Sequence, residues 1–277
     1  MAAHAGVANR LLARSQDSPF AASVAAAASE AAGFAAWLHA DMDDTGTARS
    51  YYRMAIDRAQ RAGHDLLAGY MIGGLAAFEI DAADPGYGLE LIGDARRQVG
   101  QAQHPTPLAW LDSLEALGLA VARKDGAAAD RAIVQASRVV ESKQATTTPP
   151  WPWVFPFDYP KLAGYRALVA VRLGRPSAAL SAFAESMHAA QPAPRQRAVT
   201  MLEVATAACQ DGAGRKESDR ADEAFRLACE ALRVGIDYSS ERVIARARRF
   251  RRSYDGPATS YVREFDDRAR SALRLCQ

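Results

Sequence analysis

A small–bulky–small triplet, spaced by four and then three residues, recurs five times along the chain, and few architectures besides stacked helical hairpins accommodate it. The triplets are Ala48-Tyr52-Ala55, Gly88-Ile92-Ala95, Ala129-Ile133-Ala136, Ala179-Phe183-Ser186 and Ala224-Ala228-Ala231. Steps of four and three return to one face of a helix, so each triplet is a stripe that packs on a partner helix, its small members admitting close backbone approach. The first members are offset by 40, 41, 50 and 45 residues, the period of a repeat array loosened by insertions. One hairpin cannot bury its apolar face alone; stacked neighbours can.

Local punctuation marks the hairpins. The first spans 21–62 around the break Asp41 to Gly46. The second pairs 66–81 with 88–99 across Asp84-Pro85-Gly86, and the third pairs 108–123 with 127–141 around Lys124-Asp125-Gly126. The fourth, 161–190, breaks at Leu173-Gly174-Arg175-Pro176, and the fifth pairs 195–210 with 221–234. Asp65 is expected to cap the helix after the Gly63-His64 turn. A serine-capped helix after Ser239-Ser240 carries Val243, Ala247, Phe250 and Tyr254 on one face, and a last helix, 260–275, packs beside it. The expected fold is all-α: a right-handed α-solenoid of about five tetratricopeptide-like helical hairpins, with a C-terminal capping helix pair over 240–275. Residues 1–20 read as a short helix and linker, and 21–277 as a single array. The period lies nearer to HEAT or armadillo spacing, but the small–bulky–small order favours the tetratricopeptide arrangement.

The segment 146–160, TTTPPWPWVFPFDYP, interrupts the pattern. Its five prolines forbid helix, and an extended backbone would put Trp151, Trp153, Phe155, Phe157 and Tyr159 on one side. Two roles fit: a plug between the third and fourth hairpins, or the rim of a groove, with Trp151 and Trp153 as its contact residues.

The runs AAGFAAWLHADMDDTGTARSYYRMAIDRAQRAGHDLLAGYMIGGLA, LAGYRALVAVRLGRPSAALSAF and SSERVIARARRFRRS resemble the tetratricopeptide-like C-terminal half of actinobacterial helix-turn-helix transcriptional regulators, over roughly residues 20–255. The resemblance implies a sensing or dimerising module, and a setting in transcriptional or secondary-metabolism regulation. In those regulators a DNA-binding domain precedes the repeats; here about twenty residues do, which fits loss of that part, a start downstream of it, or a stand-alone member.

Composition excludes several classes. At 49% hydrophobic and 24% charged the chain is not disordered. No window of eighteen apolar residues lacks a charge, and Met1 to Ala13 has no cationic region ahead of an apolar core, so neither a membrane span nor a signal peptide is expected and the location is read as cytoplasmic. Cys209, Cys229 and Cys276 make no CxxC pair and read as small hydrophobes. No HExxH, GxSxG or GxGxxG occurs, and the loop 211–218 lacks the phosphate-loop spacing. His39, Asp41, Asp43 and Asp44 fall in a helix-ending turn and read as capping acids, so no metal, no cofactor and no catalytic residue is assigned.

What remains is binding. In stacked hairpins the first helices form the inner wall. Counting back from the second-helix triplets places Glu30, Trp37 and Asp41, then Tyr70 and Asp81, then Lys161 and Arg172 on that wall. The expected partner is another protein or a second copy, with a small ligand as a further option. The alternatives are an accessory protein of a biosynthetic enzyme and direct DNA contact: from Glu241 to Gln277 ten arginines face five acids, a net of +5, including Arg246, Arg248, Arg249, Arg251 and Arg252. Without interleaved aromatics that row reads as the solvated face of a capping helix.

Overall fold

The computed structural model describes residues 2–15, 17–82, 84–100, 105–122, 124–142, 157–188, 193–210 and 216–275. Among them lie thirteen α-helices and no strand. The chain divides into two compact units, Met1–Asp158 and Tyr159–Gln277. The first holds α1 (Ala2–Arg14), α2 (Ala21–Asp41), α3 (Thr45–Arg61), α4 (Asp65–Ala82), α5 (Pro85–Val99), α6 (Thr106–Ala122) and α7 (Gly126–Glu141). The second holds α8 (Tyr159–Arg172), α9 (Pro176–Ser186), α10 (Pro194–Gln210), α11 (Glu217–Asp237), α12 (Glu241–Arg252) and α13 (Ser260–Leu275).

One local device recurs at the turns. A residue in the left-handed region ends one helix, and its successor is the N-cap of the next: Asp43 (φ 62°) before Asp44, Lys124 (φ 52°) before Asp125, Gly174 (φ 67°) before Arg175, and Ser239 (φ 50°) before Ser240. The capping carboxylates accept from backbone N–H groups three residues on: Asp44 from Thr47 at 3.2 Å, Asp84 from Tyr87 at 2.9 Å and Asp125 from Ala128 at 2.9 Å. Gly63 precedes His64 in the same way, and here the structure corrects the expectation. Asp65 does not cap α4; His64 Nδ1 accepts from Leu67 N at 3.3 Å, while Asp65 binds Gln98 at 2.7 Å.

Neighbouring helices pair as antiparallel hairpins: α2 with α3, α4 with α5, α6 with α7, α8 with α9, and α10 with α11. The five triplets lie at these contacts. Ala48, Tyr52, Ala55, Gly88, Ile92, Ala95, Ala129, Ala136, Ala179, Phe183, Ala224, Ala228 and Ala231 are buried. Only Ile133 and Ser186 keep part of their surface. The fit is tight at Gly88, where an added Cβ would sit 2.6 Å from Ile80 Cγ1 and 3.1 Å from the Ala76 carbonyl oxygen. Within each unit the first helices also touch in succession, α2 to α4 to α6 in one and α8 to α10 to α12 in the other.

Helix α2 is long and apolar enough to cross a membrane by length and composition, with a mean hydropathy of 1.2. In the fold it packs on α1, α3 and α4, burying Ala25, Ala28, Ala32, Ala35 and Ala36. The second unit closes on an aromatic cluster: Phe225 of α11 meets Phe250 of α12 at 4.8 Å, Tyr254 at 4.9 Å and Phe265 of α13 at 5.6 Å.

Candidate binding faces of the first helices

On α2, the positions Glu30, Phe34 and Trp37 follow one another at helical spacing along the side turned away from the packed alanines. Phe34 is 48% exposed and Trp37 39%, their rings stacked 6.0 Å apart. Exposed stacked rings on a helix that is otherwise packed are the kind of surface that carries interface energy. Asp41, expected on the same wall, is buried at the helix end. Tyr70 and Asp81 share one partly buried stripe of α4. Tyr70 packs against Trp110 of α6 at 5.2 Å, and burial raises its phenol above the usual range, so it stays a neutral hydroxyl. Gly73 makes room: a Cβ there would lie 2.6 Å from the Trp110 ring.

In the second unit Lys161 lies at the start of α8, partly buried, and Arg172 at its end. Arg172 Nη1 donates to Glu203 of α10 at 2.8 Å, and Arg246 of α12 donates to the other oxygen of the same carboxylate. Three successive first helices are thus joined through one acid. Trp151 and Trp153 lie outside the described residues. Of the rings beside them, Phe157 is buried, and Tyr159 is exposed, donating to Glu185 at 2.9 Å and accepting from Arg166 at 3.0 Å.

Sequence reasoning missed Phe34, although it sits at the i+4 position between Glu30 and Trp37. It also missed Trp110, Glu203 and the pairing of Arg246. Ion pairs across 31 and 43 residues leave no local signal. One signal was available once helix bounds are fixed. The first helices of the first unit, α2, α4 and α6, hold seven acids and no lysine or arginine, whereas α8, α10 and α12 hold eleven basic residues and two acids.

Other places offer less chemistry. A cavity of about 580 Å³ opens between α3 and α5 above Ile72 and Leu75, but much of its polar rim is bonded within itself, Arg97 to Asp94 and Gln98 to Asp65. His39 Nδ1 lies 3.2 Å from an Asp44 carboxylate oxygen and its ring stacks on Tyr51 at 5.3 Å, while Asp44 also serves as the cap of α3. Cys209 and Cys229 are free thiols, and burial pushes both up to about 11, the opposite of what a thiolate nucleophile needs. Among the described residues no group of three or more His, Cys, Asp or Glu side chains is placed to hold a metal ion. Compared with protein-family models, with curated proteins and with solved structures, the chain matches none of them.

Proposed function

We propose that the chain is a non-catalytic, tetratricopeptide-like array of helical hairpins that binds a protein partner through its first helices. The observation that carries this is the stacked pair Phe34 and Trp37, each more than a third exposed on a helix that buries its alanines on the opposite side. The burial of the recurring triplets and the succession of first-helix contacts support the tetratricopeptide comparison, because first helices that touch one another form a continuous layer available to a partner. The resemblance to actinobacterial regulators supplies the setting, cytoplasmic control of transcription or secondary metabolism, in which such a module senses or recruits.

The test is a Phe34→Ala, Trp37→Ala double variant used as affinity bait beside the wild type. About half of each ring is buried, so the double variant should lose about 2 kcal/mol of stability, about 1 kcal/mol per ring, and circular dichroism should show it folded. A protein retained by the wild type and lost by this variant supports the proposal. Identical captures from both baits would sink it.

A further inference from the structure

Charge is sorted by helix class in the second unit. Its first helices α8, α10 and α12 carry eleven basic residues against two acids, a net of +9. Its second helices α9 and α11 carry three basic residues against seven acids, a net of −4. Sorting of this kind is not needed for hairpin packing, where the contacts are alanine, leucine and phenylalanine. It creates a field of one sign over one layer.

The middle of that layer already holds a carboxylate. Glu203 is the only acid on α10, and its two oxygens are taken by Arg172 from one side and Arg246 from the other. Arg242 and Arg249 stand one turn before and one turn after Arg246 on α12 and so flank the same position. Arg249 is exposed and makes no ion pair among the described residues. Arg252 follows Arg249 by one turn and is exposed with it and Arg248, and Arg251 turns to Asp266 of α13 at 2.7 Å.

We propose that the first-helix layer of the second unit binds an acidic segment of a partner protein, with Arg242 and Arg249 taking its carboxylates beside the Glu203 site. Guanidinium groups recognise carboxylates through paired N–H donors, and Arg172 and Arg246 already show that this layer presents them to one. Nucleic acid fits less well. The arginine row contains no aromatic side chain open for base stacking, and Glu203 opposes a continuous phosphate track. The inference rests on the first helices being the binding layer, but it concerns other residues and another unit than Phe34 and Trp37, so either can fail alone.

The experiment titrates the full chain into a fluorescein-labelled glutamate-rich peptide and follows anisotropy. Arg242→Glu with Arg249→Glu should weaken binding by at least ~10-fold, as reversal of complementary charge does. Arg226→Glu with Arg233→Glu changes net charge equally on the second helix α11 and should leave the affinity within ~2-fold, since exposed charges beyond the contact are screened. Glu203→Gln removes the resident acid and should tighten binding. Equal losses in both arginine pairs would show a response to net charge alone and overturn the site. So would absence of peptide binding, tighter binding of duplex DNA lost through Arg248 and Arg252, or sedimentation showing that a second copy of the chain occupies the layer and excludes the peptide.

Discussion

Phe225→Ala tests the packing of the second unit most severely. Phe225 is fully buried, and three rings surround it at 4.8, 4.9 and 5.6 Å, contributed by α12, α13 and the turn between them. Truncating a buried phenylalanine costs about 3–5 kcal/mol. The upper part of that range applies here, because aromatic pairs add about 0.5–1.5 kcal/mol each beyond the area they bury. At roughly 4 °C per kcal/mol for a unit of this size, the melting point should fall by roughly 16–20 °C. Residues 159–277 contain no tryptophan, so tryptophan fluorescence is not the readout chosen for this transition. Far-ultraviolet circular dichroism is, followed through heat and urea unfolding. Phe34→Ala serves as the control, since a half-exposed ring should cost only about 1 kcal/mol. A loss below about 1 kcal/mol in Phe225→Ala, the cost of an average substitution, would refute the aromatic cluster as the closing element of the unit.

Truncation after Ser239 removes Val243, Phe250 and Phe265 from above Phe225 and should yield a protein that aggregates, read by light scattering; a monomeric product with unchanged melting would contradict the capping role. Arg49→Ala leaves the Glu79 carboxylate, buried and held by Arg49 at 2.7 and 2.9 Å, without its main donor, and should cost about 3 kcal/mol in urea unfolding, the low end for breaking a buried pair. Ser239→Gly relieves a left-handed backbone at a cost of some chain entropy and should stabilise by up to about 1 kcal/mol. In a Cys276→Ser variant the two remaining thiols, pushed up to about 11, should react slowly with a thiol reagent at mildly alkaline pH and fast once the chain is unfolded.

The hairpins were legible in sequence because their signals are local. Triplet spacing, the acids Asp44, Asp84 and Asp125, and the breaks at Pro85 and Pro176 each act within one or two turns, and the helix bounds follow them within a few residues. The misplaced cap at Asp65 has the same origin: His64 is not a usual capping residue, yet its ring nitrogen reaches the Leu67 amide. The candidate faces were only half legible. Of the residues reached by counting back from the triplets, Trp37 stands partly exposed on α2, Tyr70 packs against Trp110, and Asp41 lies buried at the end of its helix, where the chain turns back. The arginine row looked uniform as a string. In the fold it divides three ways, with Arg246 on Glu203, Arg251 on Asp266, and Arg248, Arg249 and Arg252 exposed. Partners so far apart in sequence are brought together by helix stacking, which no local pattern encodes.

The most direct test of the proposed binding layer is site-specific photo-cross-linking in cells, with a photoreactive residue at Phe34 on a first helix or at Val134 on the second helix α7. Both positions are about half exposed, at 48% and 49%, so accessibility alone does not favour either. Binding through the first helices predicts a discrete cross-linked protein from position 34 and none from position 134. A product from position 134 alone, or the same product from both, would contradict it.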